Sequence, residues 1–267
     1  VQTLSEIKGM LAARGLRPRH RFGQNFLHDH NVLRTLMAAA AVRPGEVVLE
    51  VGPGTGALTD LLIEAGAHVI ACELDRDLAA LVRERFGARV TLIEGDCLAG
   101  KHALNPAILA ALGGRDFRLI ANLPYQAATP LIATLLADHA ACAGMVVTIQ
   151  REVAQRLAAA PGTADMGPLS VMTQFLATVA IVAEIRPGSF WPEPEVTSAI
   201  VRIDPRQPRP VEPPALRPMI ERAFQQRRKQ MGTSVGRDFS LPPHFDRTRR
   251  PETLTVDEWV ALATRQA

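Results

Sequence analysis

The chain has 267 residues, 47% of them apolar, enough for a large domain and a smaller one built round a substantial core. Three cysteines without a CxxC pair exclude a disulfide-stapled scaffold and a zinc ribbon, and charges such as Asp138 break the apolar stretches. With no signal peptide read at the start, the expectation is a cytoplasmic protein with no membrane span and no metal.

Residues 46–51, EVVLEV, form a β-branched run ending in glycines and predict a strand. TGALTDLLIEAGA (55–67) sets Leu58, Leu61, Leu62 and Ala65 on one helical face. HVIACEL (68–74) is again strand-like. DRDLAALVRERF (75–86) predicts a helix capped by Asp75 or Asp77, with Leu78, Leu81 and Val82 inward. RVTLIEG (89–95), DFRLIANL (116–123) and GMVVTIQ (144–150) are three further strands, with helical stretches at 128–137 and 151–159. Strands alternating with helices predict a parallel sheet covered on both faces.

The pattern then changes. TVAIVAEI (178–185) and VTSAIVRI (196–203), joined by RPGSFWPEPE without a helix, predict an antiparallel pair at the sheet edge. DPRQPRPVEPP (204–214) has five prolines in eleven residues and reads as a linker. ALRPMIERAFQQRRKQM (215–231) and TVDEWVALATRQA (255–267) read as helices. The expected architecture is α/β: seven strands, mostly parallel with an antiparallel edge, in residues 1–204, and a small all-helical domain in 205–267.

Net charge is only +3, but twelve Arg and Lys face five Asp and Glu between Arg202 and Arg250. The first thirty residues add Lys8, Arg14, Arg17, Arg19 and Arg21 against Glu6 and Asp29. Basic ends around a near-neutral middle suit a polyanion, although a solvated basic surface reads the same way.

LEVGPGTGALT (49–59) places Gly52, Gly54 and Gly56 between a strand and a helix, where the backbone turns sharply and meets a ligand closely. The spacing is GxGxG, with Glu50 two residues ahead, and not the GxGxxG of a dinucleotide site. Glu73 ends the next strand and can accept from both hydroxyls of a ribose. Asp96 ends the third and can accept from an adenine amine, or simply close a turn. Together they predict a nucleoside-containing cofactor.

Motif by motif the chain resembles the S-adenosylmethionine-dependent ribosomal RNA adenine dimethyltransferases. The resemblance rests on FGQNFL (22–27), LEVGPGTGALT, CELD (72–75), GDCL (95–98), NLPY (122–125), QREVAQRLAAAPG (150–162), FWPEPEVTS (190–198) and QRRKQ (226–230), in family order. It implies a Rossmann-like class I methyltransferase sheet with S-adenosylmethionine as cofactor. Asn25 and Leu27 would cover that cofactor, Gly52 approach its methionine part, Glu73 hold the ribose, Asp96 the adenine amine, and Asn122 stand between cofactor and base. The branch it resembles most dimethylates N6 of two adjacent adenosines in a hairpin near the 3′ end of small-subunit rRNA, in a pre-30S particle, as a monomer. Large-subunit resistance methylases, a non-catalytic assembly factor and a DNA adenine methyltransferase are the alternatives. Two stretches depart from the family pattern, MGPLS (166–170) and QMGTSVG (230–236), in regions expected to touch RNA.

The family reaction gives ANLPYQAATP (121–130), with the chain's single tyrosine, a chemical reading. An exocyclic adenine amine is a weak nucleophile until its nitrogen becomes tetrahedral. Two acceptors aimed at its hydrogens favour that change: the Asn122 side-chain oxygen and the backbone carbonyl of Leu123 or Pro124. Pro124 pre-shapes the loop, and Tyr125 offers a flat face for the base. Phe190 is either the opposite face or a hydrophobic plug. Arg227, Arg228 and Lys229, expected on a helix, would hold RNA phosphates.

Overall fold

The computed structural model describes residues 2–19, 22–100, 103–236 and 239–266. In chain order it forms α1 (Leu4–Ala12), β1 (Phe26–Leu27), α2 (His30–Ala40), β2 (Val47–Val51), α3 (Ala57–Glu64), β3 (His68–Glu73), α4 (Arg76–Phe86) and β4 (Val90–Glu94). There follow α5 (Pro106–Leu112), β5 (Phe117–Asn122), α6 (Tyr125–Asp138), β6 (Cys142–Gln150), α7 (Arg151–Leu157), α8 (Pro168–Leu176) and β7 (Ala177–Ile185). The last elements are β8 (Phe190–Trp191), β9 (Ser198–Pro205), α9 (Leu216–Gln225), α10 (Met231–Ser234) and α11 (Val256–Thr264).

The chain divides into two compact units, Val1–Ala154 with Ala180–Asp204, and Gln155–Val179 with Pro205–Ala267. The main sheet has seven strands in the order β4-β3-β2-β5-β6-β9-β7. Neighbours from β4 to β6 are parallel, and β9 runs antiparallel to β6, from Met145 opposite Ile203 to Gln150 opposite Ser198. β2 lies mid-sheet and all five of its residues are buried, which is why its sequence is an unbroken apolar run save for Glu50. Helices α2 and α3 pack on this sheet through Leu33, Leu36, Leu58 and Leu62. Among the described residues no helix is long and apolar enough to cross a membrane.

Several boundaries differ from the sequence reading. Two N-terminal helices lay unread although both carry start signals: Thr3 and Glu6 form a capping box on α1, and the Asp29 side chain accepts from Asn31 and Val32 at the head of α2. The helix expected at 128–137 starts earlier, at Tyr125, with Pro124 as its N-cap. The long helix expected over 215–231 ends at Gln225, and residues 226–229 form a turn before α10. Its buried face is Leu216, Met219, Ile220 and Ala223. Beyond Phe224 no apolar side chain recurs until Met231, so good helix formers alone do not prolong it. Arg227, Arg228 and Lys229 therefore stand in a turn, not on a helix.

The second unit also takes in a segment that the sequence reading left in the first. Val171 and Phe175 of α8 share one apolar cluster with Leu216, Met219, Ile220 and Trp259. Each such buried side chain contributes about 1.5–3 kcal/mol, enough to decide which body α8 joins. The departures from the family pattern fall in the same cluster: Met166, Met231 and Val235 are buried there, and Pro168 opens α8. Met166, Met231 and Val235 are packing residues of this cluster.

Candidate active site

The carboxyl ends of β2, β3, β4 and β5 open into one cavity of about 360 Å³. Asn25, Leu27, Gly52, Glu73, Asp96, Asn122, Leu123, Pro124, Tyr125 and Phe190, ten residues singled out in the sequence, all line it. Arg227, Arg228 and Lys229 belong to the second unit and do not.

The glycine turn is demanded by space. Gly52 has φ +72°, and a Cβ there would meet the Pro124 ring at 3.1 Å. Gly56 has φ +87°, and its Cβ would lie 2.5 Å from the Phe86 ring and 2.7 Å from the Arg85 guanidinium. Gly56→Ala is expected to cost about 2–3 kcal/mol, from left-handed strain plus displacement of Phe86, and urea unfolding measures it.

Glu73 is buried and accepts backbone N–H groups on each oxygen, from Asp75 on Oε1 at 3.0 Å and from Gly54 on Oε2 at 3.1 Å. Each oxygen keeps a second lone pair for a ligand hydroxyl. Burial raises its pKa, against the lowering effect of these hydrogen bonds. Glu50, buried at the end of β2, accepts from Thr59 Oγ1 at 2.7 Å. Burial, with the neighbouring Glu73 and Asp60 carboxylates adding to it, pushes its pKa up to about 8. Asp96 is exposed on the rim, where Oδ1 closes a turn by accepting from the Leu98 N–H at 2.9 Å. It is thus both a turn residue and a cavity residue. Among the described lining residues there is no Lys, Arg or His.

At the other end stands Asn122. Its Nδ2 donates to the Asn25 carbonyl at 3.1 Å, and its Oδ1 accepts from Thr148 Oγ1. The carbonyl partner accepts only, so it fixes which end of the amide is nitrogen and leaves Oδ1 one free lone pair. The Pro124 carbonyl is taken by the Ala127 N–H at 2.9 Å in the first turn of α6. Among the described residues the Leu123 carbonyl has no hydrogen-bond partner, so both of its lone pairs are open where the Pro124 carbonyl keeps one. Tyr125 is half-buried, and its hydroxyl hydrogen-bonds Ser198 Oγ at 2.7 Å, so the ring is held at its far end. Phe190 lines the cavity yet is only 2% exposed and packs with Leu27, Leu33 and Ile200. Phe190 thus both bounds the cavity and belongs to the core beneath it.

Sequence reasoning missed four contributors. Leu74 lines the cavity and is 49% exposed, an apolar surface next to Glu73 on which a flat heterocycle can lie. Its neighbour in CELD was the signal. Thr148 and Ser198 hydrogen-bond Asn122 and Tyr125, and Gln24 lines the cavity beside Asn25. The three cysteines are buried and unbridged, and among the described residues no His, Cys, Asp and Glu cluster could hold a metal. Of the N-terminal arginines, Arg14 pairs with Glu84 and Arg19 with Asp75 and Asp77, whereas Arg21 lies outside the described residues.

A glycine turn, acids at successive strand ends and an antiparallel edge define a Rossmann-like class I methyltransferase. Residues 15–247 match the ribosomal RNA adenine dimethylase family, and the chain belongs to it. It is 42% identical over 249 residues to the Ribosomal RNA small subunit methyltransferase A of Leptothrix cholodnii, covering 92% of this chain and 90% of that one. Against the protein of the same name from Pseudomonas aeruginosa the identity is 40% over 260 residues, covering 94% and 95%. Among solved structures, a dimethyladenosine transferase from Plasmodium falciparum superposes with a TM-score of 0.74 at 22% identity, covering 89% of this chain and 95% of that one. The 23S rRNA methyltransferase ErmE gives 0.70 at 24%, covering 91% and 99%. At these identities the two structures speak for the fold.

Proposed function

We propose that this protein transfers methyl groups from S-adenosylmethionine to N6 of two adjacent adenosines in a hairpin near the 3′ end of small-subunit rRNA. The product is dimethyladenosine, made during small-subunit assembly on a pre-30S particle, by a cytoplasmic monomer. The observation that carries the reading is the locked Asn122 amide, with one lone pair of Oδ1 left beside the unpartnered Leu123 carbonyl.

The cavity fits the cofactor. Three carboxyl groups and no cation among the described lining residues suit a sulfonium and an ammonium, and oppose a pyrophosphate. Glu73 would hold the ribose hydroxyls, Asp96 Oδ2 the adenine amine, Leu74 the adenine face, and Gly52 the close approach of the methionine part. When bound, S-adenosylmethionine supplies a methyl group made electrophilic by its positive sulfur. Asn122 Oδ1 and the Leu123 carbonyl accept the two amine hydrogens of the target base and draw its nitrogen towards tetrahedral geometry. Tyr125 stacks on the base once it has left its own stack, and Phe190 closes the opposite wall. No general base is required, because the methylated ammonium is acidic and releases its proton to water. The second unit would hold RNA through exposed cations such as Arg228 and Lys229, while Arg227 spends part of its guanidinium on the Ala164 carbonyl at 2.5 Å.

The test is incubation with labelled S-adenosylmethionine and ribosomal subunits lacking adenine dimethylation, followed by nucleoside analysis. Dimethyladenosine confined to small-subunit RNA is expected. Label in large-subunit RNA would move the protein to the other branch of its family. Cofactor binding without label would leave an assembly factor.

A further inference from the structure

We infer that Asp75 is a positioning residue for methyl transfer: its carboxylate pins the segment carrying Gln24 and Asn25, and through that segment orients Asn122. The inference rests on the reading of the cavity as the S-adenosylmethionine site.

Asp75 looks at first like a helix cap, since Oδ1 accepts the Asp77 N–H at 3.0 Å at the head of α4. A cap needs only that bond. Here the carboxylate is 3% exposed and carries three more. Arg19 Nη1 donates to Oδ1 at 2.8 Å and to Oδ2 at 3.0 Å, and Gln24 Nε2 donates to Oδ2 at 2.8 Å. The second guanidinium nitrogen of Arg19 reaches Asp77 at 2.5 Å. Gln24 in turn accepts the Arg19 N–H at 2.8 Å, so the two side chains grip one anion as a unit.

Both ends of this clasp lead into the site. The Asp75 N–H donates to Glu73 Oε1, the carboxylate assigned to the ribose. The residue after Gln24 is Asn25, whose carbonyl holds Asn122 Nδ2 at 3.1 Å. One buried charge thus ties the cofactor end of the cavity to the base end. A neutral side chain at 75 would keep the cap but turn an NH₂ group towards donors on Arg19 and Gln24, and the segment would lose its anchor.

Asp75→Asn separates the roles, because Asn caps helices as well as Asp does. Titration calorimetry with S-adenosylmethionine on wild type, Asp75→Asn, Arg19→Met, Arg19→Lys and the Arg19→Met/Asp75→Asn pair is the experiment. Each neutral variant is expected to weaken binding about tenfold, and the pair no more than the weaker single, since one interaction is removed twice. Arg19→Lys recovers part of the loss, and the cofactor-free melting temperature moves by less than about 3 °C. Trypsin should also cut after Arg19 faster in Asp75→Asn, because the guanidinium then keeps only its bond to Asp77. Unchanged affinity in Asp75→Asn and Arg19→Met, with wild type binding normally, overturns the inference. So does an affinity loss that only parallels a fall in melting temperature and that Arg19→Lys does not recover, for Asp75 is then a cap alone. Failure of wild type to bind overturns the cofactor reading itself.

Discussion

Asn122→Ala is expected to slow methyl transfer by about 10³-fold while S-adenosylmethionine affinity stays within about tenfold. The asymmetry follows from where the side chain is held. Thr148 and the Asn25 carbonyl each use one end of the amide, and what remains is one hydrogen on Nδ2 and a single lone pair on Oδ1. That lone pair has most to gain when the target nitrogen becomes tetrahedral and its hydrogens acquire charge, so its loss falls on the transition state more than on binding. Thr148→Val is the companion variant. It leaves Asn122 in place and removes the hydroxyl that steadies Oδ1, and is expected to lower the rate by about tenfold with affinity unchanged. Single-turnover methylation at saturating cofactor reads both. If Asn122→Ala kept its rate within about threefold, the Leu123 carbonyl and simple positioning would have to account for the chemistry.

The sheet was legible because β2, β3, β5 and β6 are largely buried apolar runs separated by helical spacing, and burial on both faces leaves little else for such runs to be. The site was legible for a related reason: glycines and acids at strand ends converge whenever the strands are parallel neighbours. Thr148 was not legible. It meets Asn122 only because β5 and β6 pair in the register Asn122 opposite Thr148, and register is not written in either strand alone. Phe190 was ambiguous for want of depth, since an aromatic before a proline turn fits a wall or a plug equally well. The packing role of Met166 and Met231 lay in their apolar side chains, which a comparison by family pattern passes over. The RRK cluster misled: its residue types favour helix, but nothing apolar there fastens a helix to the core.

Glu50→Gln is expected to remove a large pH dependence from the stability of the cofactor-free protein. Glu50 is 1% exposed, its one neutralising contact is the Thr59 hydroxyl, and Glu73 and Asp60 both oppose its ionisation. Asp60 is itself held by Arg85 at 2.8 Å, so that cation is committed elsewhere. A folded pKa of about 8 against an ordinary 4.5 means that, between these values, the native state keeps a proton the unfolded chain has released. The unfolded state then binds fewer protons, and stability falls as pH rises. The stabilisation is fully present below pH 4.5 and lost as pH passes about 8. It amounts to on the order of 5 kcal/mol. The raised pKa of Glu73 adds in the same direction. Glutamine still accepts from Thr59 and carries no charge to bury, so its profile should flatten. Urea unfolding at mildly acid, neutral and alkaline pH should show the two proteins close together at the acid end and the variant clearly more stable at the alkaline end. Parallel profiles would mean that Glu50 is ionised at neutral pH in the free protein. The cavity would then present its full negative charge before any cation arrives, and cofactor binding would release no proton from this residue.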